Sequence, residues 1–478
     1  MKFLILRASG WDSISDKDTD YKLKRVRSKA GFTPSVYPPI GLEYIASSIE
    51  NAGHVAEIID FTMEKLSEQD FTNLVNKSDA VGISVYTDEV KSVDSLAKKI
   101  KEIDKEKKII LGGPHCTLYP KLSFDDITYA DIVVRGDGEF VTYDLIKHLE
   151  GRKKLSEIPG VYYKENGNIK NNLPLKIIED LDSIPFPARH LVEKYEYGKM
   201  DNLTIFKPKF TSININRGCP GKCRFCSRYT NVIKDWGFRR RSAENVIEEF
   251  LEIDKKYKSV MIVDDIFMSD KKQAHNIMDG LIEHKTKVRI GIAGARVDSA
   301  DKELYKKLKK ANVKLISFGI ESGNQDVLDY YKKRITLTQI KKAVILSRKM
   351  GFITIGSFIL GAPFETKEHL FKTSNFANSL PLDVALFAPL HYYKGSEMWK
   401  EAVNEKKISP EEFMVPADSK RGLGNFRTDE LFSIAKEISN RFYNRPSFYA
   451  KQIYRSLLRG DIKWLFNGLK LLNIDKNG

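Results

Sequence analysis

The chain has 478 residues, 42% of them hydrophobic, with a formal net charge of +15. That length and composition can bury two or three cores, and no apolar stretch is long enough to cross a bilayer. The lysines are spread over helix faces that also carry Glu and Asp, so the positive balance reads as a solvated surface, and nucleic acid is not an expected partner.

In chain order, Lys2–Arg7 reads as a strand, because its apolar run is too short for a signal peptide. Gly41–Asn51 is a helix, Val55–Asp60 and Asp79–Val85 are strands, and Val90–Ile103 is an amphipathic helix. Lys107–Leu111 is a strand ending in Gly112-Gly113-Pro114, Ala130–Arg135 another ending in Gly136-Asp137-Gly138, and Phe140–Leu149 a helix. Over 1–150 this is the alternation of a doubly wound, Rossmann-like parallel sheet, whose ligands bind at the carboxyl ends of the strands. Periodicity weakens over 151–205, where Ile158–Tyr163 reads as a hairpin strand with a turn at Asn166-Gly167 and Ile184–His190 as a proline-bearing connector, so the stretch as a whole suggests a linker between domains.

A second alternation fills 206–400. Its strands are Ser212–Asn216, Ser259–Val263, Val288–Ile292, Lys314–Gly319, Ile353–Leu360 and Val384–Pro389. Helical patterns lie between them: Ala243–Lys256, Lys271–His284, Lys302–Ala311, Gln325–Tyr330 with Leu337–Met350, and Thr366–Leu380. Six units in that length suit a partial (β/α)6 barrel better than an eight-unit one. The remainder, 401–478, reads as a helical C-terminal domain, with nine Lys or Arg against three acidic residues from Leu431 onward.

Cys219, Cys223 and Cys226 stand in Arg217-Gly-Cys-Pro-Gly-Lys-Cys-Arg-Phe-Cys, just after the first barrel strand. Three thiols so close read as a metal site rather than a disulfide framework. They suit a cubane iron–sulfur cluster, which usually takes four cysteines. The chain's other cysteine, Cys116, falls in the first domain, which leaves one iron open to a small molecule. The competing reading is structural zinc, but such sites are closed by four protein ligands and no His lies nearby. The few, clustered cysteines also fit a reducing cytoplasm.

This spacing, with Phe225 before the last cysteine, resembles the radical S-adenosylmethionine (SAM) superfamily. The resemblance implies a 4Fe–4S cluster on Cys219, Cys223 and Cys226, with SAM on the open iron, cleaved to a 5′-deoxyadenosyl radical. It implies SAM-binding roles for Phe225, Asp264, Arg296, Glu321, Ile359 and Gly361. Asp264 replaces part of the usual Gly-Gly-Glu, Arg296 is placed to meet a carboxylate as a guanidinium fork does well, and Glu321 matches a ribose-binding Glu. Ile359 and Gly361 match the adenine seat, although Ser357 stands where Gly is usual.

Pro38-Pro39-Ile-Gly41, Ala52-Gly-His-Val-Ala-Glu-Ile-Ile-Asp60, Gly112-Gly-Pro-His115 and Val134-Arg-Gly136-Asp-Gly138-Glu139 resemble the cobalamin-binding domain joined to many radical SAM enzymes. The resemblance covers about 1–150 and 206–400, and places cobalamin against Tyr86, Thr87, Gly112, Gly113, His115, Gly136, Gly138 and Glu139. Gly136 and Gly138 would let a flat macrocycle approach the backbone. The chain has no D-x-H-x-x-G run, so His115 is expected to line the pocket or cap a turn rather than ligate cobalt. Cys116 reads as a small buried residue, and Glu139 doubles as a helix N-terminal charge.

The implied function is a cobalamin-dependent radical SAM methyltransferase acting on an unactivated carbon through the 5′-deoxyadenosyl radical and methylcobalamin. A cyclase without methyl transfer is the alternative. Cofactors carry the chemistry, so no Ser/His/Asp triad is expected. The expected partners are a small-molecule or lipid substrate and an external electron donor such as flavodoxin or ferredoxin. The basic, aromatic tail over 431–478 reads as a lid packed on the barrel. The competing reading is a peripheral membrane contact.

Overall fold

The computed structural model describes residues 1–9, 11, 37–171, 173–200, 203–204, 208–227 and 236–459. They divide into two compact units at Tyr197/Gly198.

In the first unit the strands are β1 (Lys2–Arg7), β2 (Val55–Asp60), β3 (Ala80–Ser84), β4 (Lys108–Gly112), β5 (Ile132–Val134), β6 (Val161–Glu165) and β7 (Asn168–Lys170). The longer helices between them are α1 (Ile40–Asn51), α2 (Glu68–Lys77), α3 (Val90–Ile103) and α4 (Glu139–Leu149). The sheet order is β2-β1-β3-β4-β5-β6-β7, parallel as far as β5. Phe3, Leu4, Ile5 and Leu6 of β1 are all buried, although successive residues point to opposite faces, so this continuous apolar strand is covered on both faces. The segment expected to link domains behaves differently: β6 runs antiparallel to β5 and β7 to β6, so this hairpin extends the first sheet. Helix α2, absent from the sequence reading, is short and polar on average, with Phe71 and Val75 as its buried residues.

In the second unit the strands of the six-stranded sheet are β8 (Phe210–Ile213), β9 (Ser259–Ile262), β10 (Arg289–Ala295), β11 (Val313–Glu321), β12 (Ile353–Leu360) and β13 (Val384–Pro389). Their order is sequential and every pairing is parallel, the open six-strand barrel expected. The helices are α5 (Ala243–Lys256), α6 (Lys271–Glu283), α7 (Lys302–Lys310), α8 (Gln325–Tyr330), α9 (Leu337–Met350) and α10 (Lys367–Ser379). Local chemistry sets their ends. Ser242 accepts the Asn245 N–H to start α5, Thr336 and Gln339 form a capping box on α9, and Gly351 ends α9 at φ +89°. Beyond the barrel lie α11 (Glu397–Asn404), α12 (Thr428–Tyr443) and α13 (Pro446–Arg459), the last opening on a proline at its first position.

Candidate active site

The cysteine loop leaves the carboxyl end of β8, and its base is pinned by buried polar groups. Asp264, after β9, accepts the backbone N–H groups of Ile215 (2.7 Å) and Asn216 (3.0 Å). Arg241 donates to the Asn214 carbonyl (3.0 Å) and is paired with buried Glu249. Burial raises the Asp264 carboxyl to about 7 against these backbone donors. The carboxylate expected to face SAM therefore faces the chain that carries the cysteines. The close fit continues at Gly294, where a Cβ would come within 2.4 Å of the Asp264 carbonyl oxygen.

Cys219, Cys223 and Cys226 are half-buried. The Gly221 N–H points to Cys219 Sγ (3.4 Å), and the Cys226 N–H donates to the Cys223 carbonyl (3.1 Å). A Cβ on Gly221 would lie 3.2 Å from Cys219 Sγ and 4.0 Å from Cys223 Sγ, so the bare glycine leaves room around two of the thiols. Among the described residues no three His, Cys, Asp or Glu side chains converge tightly enough for a single ion. Cys116 is buried in the first unit's core, where burial raises its thiol to about 12.

Glu321 ends β11 at a β-bulge with φ +69°, an uncommon conformation for a non-glycine residue. Its Oε1 meets the Nζ of Lys333 at 2.5 Å, both side chains being buried. The guanidinium of Arg296 grips Asp298 in a fork (3.0 and 2.8 Å) and donates to the Lys333 carbonyl (2.8 Å). Burial pushes the Cys223 thiol up, and the positive charges of Lys333 and Arg296 oppose it. The structure thus groups Cys223, Arg296 and Glu321 and adds Lys333. Sequence reasoning missed that lysine among many surface lysines; its signal was its place just after the α8 pattern that follows Glu321. The carboxylate that Arg296 meets here is Asp298, a neighbour in sequence.

Phe225 packs edge-on against fully buried Tyr331 (5.1 Å between ring centres). Ile359 is half-buried at the end of β12. Gly361 has φ +99°, and a Cβ there would strike Leu431 of α12 at 2.5 Å. Glu365 holds this turn by accepting the N–H groups of Gly361 and Ala362 (both 2.7 Å). The second unit thus fits a cluster and SAM at the carboxyl ends of its strands.

In the first unit the residues expected at cobalamin also lie at carboxyl strand ends, after β3, β4 and β5. Tyr86 is half-exposed, and Gly112 has open space where a Cβ would stand. His115 is buried, with Nε2 3.0 Å from Asp126 Oδ2 and Nδ1 3.4 Å from Thr87 Oγ1. Both ring nitrogens face side-chain oxygens. A Cβ on Gly113 would meet Ser84 Oγ at 2.9 Å, on Gly136 Leu175 at 2.6 Å and on Gly138 Ile45 at 2.8 Å. On the Cβ side of these glycines stands protein: Ser84 at Gly113, Leu175 at Gly136 and Ile45 at Gly138. Glu139 is buried in the first turn of α4. The open strand ends still fit a flat ligand held from one side.

An open parallel barrel with a three-cysteine loop after its first strand, in one chain with a Rossmann-like unit, defines a radical SAM enzyme carrying a second cofactor domain. The Radical SAM superfamily matches residues 213–377, and the B12 binding domain matches residues 31–145. An uncharacterized methyltransferase of Pyrococcus horikoshii is 31% identical over 91% of this chain and 93% of its own length. An anaerobic magnesium-protoporphyrin IX monomethyl ester cyclase of Cereibacter sphaeroides is 25% identical, over 86% of this chain and 68% of its own. In structure the chain is similar to TsrM, a radical SAM methyltransferase of Kitasatospora setae, with a TM-score of 0.67 at 15% identity over 84% of this chain and 76% of that one. The chain belongs to the cobalamin-dependent radical SAM family and is an enzyme of its methyltransferase group.

Proposed function

We propose that the protein methylates an unactivated carbon of a small-molecule substrate. The observation that carries this reading is the three-cysteine loop, without a fourth thiol near it in sequence, joined in one chain to a B12 binding domain. The likeness to a methyltransferase over nearly the whole chain supports methyl transfer as the outcome.

When bound, the cluster and SAM supply hydrogen abstraction from carbon, and cobalamin supplies the methyl group. The chain's own residues bind, orient and exclude water. Cys219, Cys223 and Cys226 would hold the cluster, with Asp264 and Arg241 fixing the loop from below. Arg296, Glu321 and Lys333 would meet the polar groups of SAM, and Phe225, Ile359 and Gly361 would shape the apolar side of its site. Tyr86, Thr87, Gly112, Gly113, His115, Gly136, Gly138 and Glu139 would border the cobalamin. A lipid is the second substrate class, and an external donor of the flavodoxin or ferredoxin type, in a reducing cytoplasm, would provide electrons.

The test is anaerobic turnover with cobalamin, a strong reductant and SAM labelled in its methyl group, given an extract of small metabolites and lipids. Label in a new product, together with 5′-deoxyadenosine, is the expected result. Deoxyadenosine with an unlabelled, newly cyclised product would favour the cyclase reading instead. No deoxyadenosine from cluster-loaded protein would remove both.

A further inference from the structure

Arg224 lies between Cys223 and Phe225, inside the metal-binding motif, yet its side chain is turned away from solvent, with 14% exposed. Its Nε stands 2.9 Å from Oε1 of Glu397, an ion pair off the line of a straight hydrogen bond, and its Nη2 bonds Glu401. Both acids are on α11, one turn apart on the same face. The guanidinium also lies over the ring of Tyr330, 4.2 Å from its centre. The backbone joins in: the Arg224 N–H donates to the Tyr331 carbonyl (3.1 Å), and the Arg224 carbonyl accepts the Met398 N–H (3.2 Å). Lys332 bonds both oxygens of Glu397 (2.6 and 2.8 Å), holding that acid from the other side.

We propose that Arg224 is a positioning residue for the iron–sulfur cluster, clamping the Cys223–Cys226 arm to α11 and so making a helix outside the barrel part of the cluster site. This rests on the cluster-binding reading above. The base of the loop is held by Asp264 and Arg241, whereas the arm carrying two of the three cysteines is held by this clamp. Arginine suits the task because one planar group can pair with two carboxylates and stack on a ring at once, which lysine cannot do. The pairing also places a neutralised cation next to Cys223, so breaking it changes both the geometry and the charge around the cluster.

The experiment uses the full chain, reconstituted anaerobically with iron and sulfide. Arg224→Ala and Glu397→Gln/Glu401→Gln should load a cluster but release iron to a chelator at least about tenfold faster than the parent, as loss of charge-assisted bonds predicts. Their reduced clusters should show a shifted electron paramagnetic resonance spectrum, and Arg224→Lys should fall between parent and Ala. Circular dichroism identifies any variant that fails to fold, and the pair on α11 then carries the test, because it leaves the motif untouched. Folded variants with parental release rates and spectra would overturn the clamp alone. A parent chain that takes up no cluster would overturn the cluster reading and the clamp with it, and the two failures are told apart by the parent's iron content.

Discussion

Asp264 and Glu365 are carboxyl groups used as backbone fasteners, one under the cysteine loop and one in the turn after β12. Burial lifts both to about 7 in the folded chain, from ordinary values of 3.8 and 4.5, although backbone donors oppose the shift. An acid raised by folding binds its proton more tightly folded than unfolded. Its contribution to stability is therefore full below about pH 4 and is lost as pH rises through about 7. Thermal denaturation across that range should show Asp264→Asn and Glu365→Gln each flattening the fall in stability seen in the parent; an unchanged slope would show that neither group is protonated on folding. Replacing Cys219, Cys223 and Cys226 together by Ala should abolish iron uptake, while Cys116→Ala, a change in the first unit's core, should leave it intact, as iron analysis would report. Glu321→Ala should weaken SAM binding by roughly 1.5–3 kcal/mol, read by equilibrium binding to cluster-loaded protein.

At the scale of elements, α12 acts as part of the barrel. Phe442 is fully buried in the barrel core, and the Tyr443 hydroxyl donates to the Ala385 carbonyl (2.8 Å) and accepts its N–H (3.1 Å). Those are backbone groups of β13, the last strand of an open sheet, so α12 occupies an edge that would otherwise invite pairing with another chain. Phe442→Ala should cost about 3–5 kcal/mol in denaturant unfolding, the range for emptying a large buried aromatic site. A cost below 1 kcal/mol would mean that α12 packs loosely. Leu431 of the same helix closes on Gly361, which ties the turn after β12 to a helix far along the chain.

At the scale of the whole molecule, the expectation of a lid over 431–478 meets a mixed picture. Helix α13 turns Arg455 inward to Asp383 (3.2 Å) and the Leu382 carbonyl (3.1 Å), while Ile453, Tyr454, Leu457 and Leu458 are exposed. Trp464 and Phe466, part of the same expectation, lie outside the described residues. Among the described residues no helix is long and apolar enough to cross a membrane. We expect the protein to stay in the supernatant with anionic liposomes at low and at high salt. Sedimentation that salt reverses and that removal of 460–478 abolishes would transfer the tail to the membrane reading.

The cysteine loop, the two β/α alternations and most strand and helix bounds were legible in the sequence, because short-range rules govern them: ligand spacing, apolar periodicity and capping residues. Helix α2 was missed because its apolar residues are too few to show a period. The hairpin β6–β7 was legible at its Asn166-Gly167 turn, but its place on the edge of the first sheet was not, because a two-strand edge carries little apolar signal until β5 supplies the partner. Asp264, Arg224 and Lys333 illustrate what the tertiary structure alone decided. Their residue types were visible, but a charged side chain at a strand end or in a loop is usually solvated, and only long-range packing shows it buried against a backbone, an acid or a ring. Gly136 and Gly138 make the same point from the other direction: the sequence marks bare backbone, and the fold determines that Leu175 and Ile45 approach it. The chemistry of this protein is thus set by the order of its residues, and the placement of that chemistry by contacts between residues far apart in the chain.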